Sequence, residues 1–141
     1  MVSVYDYIQS KNEYEEMLKK YESTRDDFKK DFKLESFDDS LLELSSQLAV
    51  TIKTVDSAIS RIEELHEWTN LEEAIMMELD DLFTSGTTML IVADEVIKKA
   101  SERLKNSRSL TNDELVELST CLASVLCCAN TIQEIVRHVK N

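Results

Sequence analysis

Apolar residues recur at seven-residue intervals, in paired columns, through four successive segments of the chain. In the first, Tyr7, Tyr14, Tyr21 and Phe28 form one column, and Val4, Leu18 and Phe32 share the other with Lys11 and Arg25. This pattern predicts a helix over about 3–33, opened by Ser3 and Asp6 in the manner of a capping box. Its seam is the weakest of the four, because two long cations must snorkel out of it. A break follows at 34–39, where Ser36 or Ser40 can cap the next helix, and Ser40 with Glu43 fits the S-x-x-E box. Leu41, Leu48, Val55 and Ile62, alternating with Leu44, Ala58 and Leu65, then predict a second helix to about Glu67.

The third segment holds its phase across the one glycine. Ile75, Leu82, Met89 and Val96 make one column, and Leu79, Gly86, Ala93 and Ala100 make a second, smaller one. Unbroken phase predicts a single helix over 70–106 with room for a close neighbour along the small column. A kink or turn at Thr84–Thr88 is the competing expectation, since glycine costs about 1 kcal/mol inside a helix. The last helix has the clearest start. Thr111 and Glu114 form a T-x-x-E box, with Leu110 placed to staple against Leu115. Leu115, Leu122, Ala129 and Val136 then alternate with Leu118, Val125, Ile132 and Val139.

Composition agrees with this pattern. With no proline and one glycine in 141 residues, the chain lacks the turn residues that sandwiches, doubly wound sheets and phosphate loops require. Hydrophobic residues at 43% against 31% charged oppose intrinsic disorder. The expected fold is all-α: an elongated antiparallel four-helix bundle with heptad-like seams, in one domain spanning 1–141.

Charge is the next distinguishing feature. The net charge is −12, and residues 34–81 hold 13 acids against 2 bases. From Glu63 to Asp81 there are eight carboxylates and no Lys or Arg. Nucleic acid and anionic lipid need a basic footprint, so neither is an expected direct partner. A basic protein surface is the natural complement. Glu63, Glu64 and Glu67 close the second helix against its dipole, each unfavourably by about 0.3–1 kcal/mol, whereas Glu72 and Glu73 open the next one favourably. That contrast marks these five as candidate partner-binding residues. The alternative is a solubilising face. No uninterrupted apolar run approaches a membrane span, so no such span is expected, and the first residues do not resemble a signal peptide. Cys121, Cys127 and Cys128 are odd in number and crowded together, which suggests a reducing, cytoplasmic setting rather than a disulfide framework.

Candidate chemistry is sparse. Glu63 and His66 form one E-x-x-H pair, but a bundle metal centre needs a second pair and ligands that all point inward. Glu134 and His138 stand four apart and do not supply it. A phosphorylated His66 would sit among Glu63, Glu64 and Glu67, which repel phosphate. The cysteines lie mid-helix without a base or cation to activate them, so they are expected to act as small hydrophobes. Without a glycine-rich phosphate loop either, neither enzyme activity nor a cofactor is expected.

Two apolar features exceed the needs of a minimal bundle. The third helix carries an extra column, Met76, Phe83, Leu90, Ile97 and Leu104, and the last is apolar at nearly every position from Cys121 to Ala129. Either these helices are buried on more than one side, or the faces form a groove or self-association surface through Met76, Phe83, Leu90, Ile97, Leu104, Cys121, Leu126 and Cys128. On the second reading the chain forms a dimer or a higher assembly.

Asp81-Leu82-Phe83-Thr84-Ser85-Gly86, followed by the apolar run Met89 to Ala93, resembles the region before the central helix of Bcl-2-type proteins. Val4-Tyr5-Asp6-Tyr7-Ile8 is similar to that family's first-helix motif, while its Asn-Trp-Gly-Arg signature is absent. The resemblance implies a regulator with an apolar groove for a partner's amphipathic helix. The residues themselves favour a non-enzymatic acidic bundle that binds another protein as adaptor, regulator or inhibitor. A third reading is an acidic mimic of nucleic acid that blocks a DNA- or RNA-binding protein.

Overall fold

The seven-residue columns become the buried stripes of four helices. The computed structural model describes residues 4–31, 39–68, 73–105 and 111–140. Its helices are α1 (Val4–Asp31), α2 (Asp39–Trp68), α3 (Glu73–Lys105) and α4 (Asn112–Lys140). No strand occurs among the described residues, and one hydrophobic core draws on all four helices. The fold is an all-α four-helix bundle. At 1.5 Å per residue, the 33 residues of α3 extend about 50 Å.

The start of α4 is capped as its sequence predicts. Thr111 N–H donates to Glu114 Oε1 at 3.3 Å, and Glu114 N–H donates back to Thr111 Oγ1 at 3.2 Å. Two backbone donors that the first turn cannot satisfy are thereby paired. Helix α2 begins at Asp39, one residue ahead of the expected cap at Ser40. Ser3 and Ser36, proposed as caps, and Leu110 of the expected staple lie outside the described residues.

Helix α3 runs without a break through Gly86, so the competing turn at Thr84–Thr88 does not form. Thr87 and Thr88 instead return their hydroxyls to the carbonyls of Phe83 and Thr84, within the helix. Gly86 is buried and faces α1. A Cβ there would lie 2.9 Å from Cε2 of Tyr14 and 3.0 Å from Cδ1 of Ile62. The small column therefore admits an aromatic ring. One heptad on, Tyr21 stands level with Ala93, and then Phe28 with Ala100, all of them buried.

Direction follows from the polar contacts. Ser10 Oγ donates to Asp80 and Thr24 Oγ1 to Asp94, both at 2.5 Å and both 70 positions apart, so α1 and α3 run parallel. Arg25 reaches Asp56 while Tyr14 lies near Ile62, so α1 and α2 are antiparallel. Arg103 with Glu114 and His138 with Glu78 set α4 antiparallel to α3. The helices thus alternate in direction, as expected. Adjacency is less obvious: α1 packs chiefly on α3, its parallel neighbour, and only brushes α2 and α4, whereas α3 touches all three.

That adjacency corrects one expectation. Phe83, Leu90 and Ile97 are at most 3% exposed, so these three residues of the extra column line no open groove or association face. Tyr7 and Tyr14 cover Phe83 directly, with ring centroids 5.9 and 5.3 Å away. The side chains of Met76 and Leu104, at the ends of the column, lie outside the described residues. The column is apolar on a helix that is central in the bundle.

Candidate functional site

Charge is distributed unevenly along the bundle. One half, where the later part of α1 meets the middle of α2 and the later part of α3 meets the start of α4, is knit by cross-helix ion pairs. Arg25 holds Asp56 at 2.8 Å, Arg103 holds Glu114 at 2.8 Å, and Lys99 lies 3.6 Å from Glu117. Asp94, buried in α3, accepts from Thr24 and pairs with Lys98 at 3.0 Å. The Arg25 side chain snorkels as its seam position requires, with its stem inside and its head on Asp56.

The opposite end carries a row of exposed carboxylates. Glu63 and Glu64 are exposed late in α2, Asp81 is exposed on α3, and Glu13, Glu15 and Glu16 are exposed on α1. Neither Glu63 nor Asp81 has an ion pair among the described residues. Lys11 reaches Glu15 only at 3.9 Å, and His138 of α4 meets Glu78 at 3.2 Å. Glu72 lies outside the described residues, as do the side chains of Glu67 and Glu73. Of the five candidate carboxylates, then, Glu63 and Glu64 are placed on this surface.

Tyr14 registers the local field. It is 2% exposed, and its hydroxyl finds no hydrogen-bond partner among the described residues. Burial pushes its pKa well above the usual tyrosine value, and Glu63, Glu22 and Glu15 push it further in the same direction. Carboxylates from both α1 and α2 thus act on one buried phenol.

The cysteines separate by position. Cys127 is exposed, while Cys121 and Cys128 are half-buried against the core, and all three are free thiols. Burial, with the neighbouring Cys127, raises the Cys128 pKa, which opposes nucleophilic chemistry there. Leu126 is also half-buried. The apolar belt of α4 is therefore only partly covered, unlike the extra column of α3. Among the described residues, no group of three or more His, Cys, Asp or Glu side chains is arranged to hold a metal ion.

Sequence reading missed two features. Asp94 directly follows Ala93 of the small column, and nothing in the sequence marks it as buried. By length and composition, 27 residues of α4, Asn112–His138, also suffice to cross a membrane, with mean hydropathy 1.6 over their most apolar window. A search for uninterrupted apolar runs overlooks this stretch because Ser, Thr and Asn punctuate it. Comparison of the chain with protein-family models, with curated protein sequences and with solved structures gives no match.

Proposed function

We propose that this chain is a non-enzymatic helical bundle that acts by binding another protein, and that its carboxylate-rich end meets a basic or amphipathic-helical surface on that partner. The observation that carries this reading is the unequal pairing of charge. Cations are drawn into ion pairs at one end, while among the described residues Glu63 and Asp81 stand exposed without one at the other, where Arg61 and Arg137 are also exposed. An unbalanced negative field of this kind steers a basic partner and raises its rate of encounter. The three free thiols suit a reducing, intracellular setting.

The test compares the wild type with a variant in which Glu63, Glu64 and Glu67 are all changed to Gln. A partner captured from the native host and identified by mass spectrometry should bind the variant more slowly at low salt, with a flatter dependence on salt. The variant itself should be slightly more stable, because carboxylates near a helix C-terminus oppose its dipole. An unchanged association rate and an unchanged salt dependence would show that this end is a solvated face.

A further inference from the structure

Helix α1 is joined to the bundle differently from the other three helices. It buries one column, Tyr7, Tyr14, Tyr21 and Phe28, with Met17 and Leu18 only partly covered beside it. Helix α4, by contrast, buries two: Leu118, Val125 and Ile132, and Leu122, Ala129 and Val136. Helices α2, α3 and α4 all pack against one another, whereas α1 rests chiefly on α3. Three helices therefore close on a core of their own, and the fourth lies along its side.

Polar contacts hold α1 at three carboxylates. Ser10 donates to Asp80 and Thr24 to Asp94, and midway between them Met17 and Thr87 border one cavity at the α1–α3 seam. Asp56 of α2 accepts from the Tyr21 hydroxyl and from Arg25, with Lys29 3.9 Å away. The spacing along α3 sets the register. Sliding α1 by one heptad in either direction would bring Met17 level with Asp80 or Asp94 in place of a hydroxyl. Water can take over each of these acceptors when α1 leaves, so the contacts place the helix more than they hold it. The Tyr14 hydroxyl, buried without a hydrogen-bond partner among the described residues, gains one from water on release.

We propose that α1 is a strap with an opening of its own: it leaves α3 as one unit, with its contacts to Asp56, Asp80 and Asp94 released together, while α2, α3 and α4 stay folded. Elements that bury few apolar groups open at a lower free energy than the whole molecule, and in this bundle α1 is that element. Once detached it loses most of its helix, because the stability of a helix in a protein comes mainly from packing its apolar face. Its departure uncovers Gly86 and Ala93 of α3, which otherwise lie against Tyr14 and level with Tyr21. The opening is a property of the α1–α3 seam and does not depend on the function proposed above.

Hydrogen exchange of the full chain, followed by mass spectrometry in rising but sub-denaturing urea, tests this. Peptides from the length of α1 should share one opening, at least about tenfold more frequent than the one that exposes α2–α4. Two variants separate the openings. Leu118 borders a cavity lined by residues of α3 and α4 alone. Leu118→Val weakens the three-helix core with or without the strap, so it should speed exchange in α2–α4 roughly 2- to 10-fold and leave α1 unchanged. Thr24→Val removes the hydroxyl from Asp94 and should speed α1 exchange about tenfold, whereas Thr24→Ser, which keeps the hydroxyl, should speed it far less. Equal acceleration of all four helices by Leu118→Val would show one cooperative unit and overturn the proposal. Exchange graded from the ends of α1 inward, without a shared opening, would overturn it as well, as would α1 exchange indifferent to Thr24→Val.

Discussion

The ring of Tyr14 on α1 fills the space that a side chain on Gly86 of α3 would need: a Cβ at position 86 would stand 2.9 Å from Cε2 and 3.0 Å from Cδ2 of that ring. This contact explains why a helix of 33 residues retains its one glycine. The intrinsic cost of glycine in a helix interior, about 1 kcal/mol, is offset by burying an aromatic ring that bridges α2 and α3. It also explains why α1, the most polar of the four helices, docks at all: its tyrosine column has a row of small residues to enter.

Gly86→Ala should therefore destabilise the protein although alanine is the better helix former. Ring and helix must move apart by several tenths of an ångström, at a cost of about 1–3 kcal/mol. Tyr14→Leu in the same chain should relieve the clash. A double-mutant cycle on denaturation midpoints checks this, with a coupling energy of about 1 kcal/mol or more expected between the two sites.

Ala93 tests the same seam one heptad on. It is 2% exposed and level with Tyr21, so Ala93→Leu should overpack the contact and cost about 1–3 kcal/mol. Chemical denaturation measures it. A midpoint equal to that of the wild type would show that α1 and α3 do not meet along this column.

One substitution should have opposite signs at two tyrosines. The Tyr14 hydroxyl is buried without a hydrogen-bond partner among the described residues, so Tyr14→Phe removes a desolvated group and should stabilise by about 1 kcal/mol. Tyr21 donates to Asp56 at 3.3 Å, so Tyr21→Phe should cost about 0.5–1.5 kcal/mol. Parallel thermal and denaturant melts of the two variants decide it.

The buried tyrosines also set an alkaline limit. Tyr14 and Tyr21 are both held well above the usual value of 10.0, chiefly by burial, with Glu63, Glu22 and Glu15 reinforcing it at Tyr14 and Asp56 at Tyr21. The folded state therefore holds these protons more tightly than the unfolded chain. Their contribution is intact below the unfolded pKa of about 10 and is lost as pH rises from there through the folded values. The denaturation midpoint should fall on going from about pH 9 to about pH 11. In the variant carrying Tyr14→Phe and Tyr21→Phe that fall should be smaller.

Much of this molecule is legible in its sequence. The seven-residue columns determined four helices and nearly all of the core, because a repeat close to the helical period puts one stripe of each helix out of water. The T-x-x-E box determined where α4 begins, because its two hydrogen bonds are local. The clustering of carboxylates from Glu63 to Asp81 was equally plain, since charge can be counted without a fold. Tertiary structure decided the rest. A column shows which side of a helix is apolar but not what covers it, so Phe83, Leu90 and Ile97 fit a buried face or an open one equally until the bundle is seen to bury all three, with Tyr7 and Tyr14 of α1 against Phe83. Asp94 became a buried acid only when Thr24, 70 positions away, came to rest on it. The apolar belt of α4 kept its outer half exposed because its neighbours in the bundle, α3 and α2, lie against the other side. Periodicity is a property of a single segment, whereas partnership depends on how the volumes and charges of distant segments fit together.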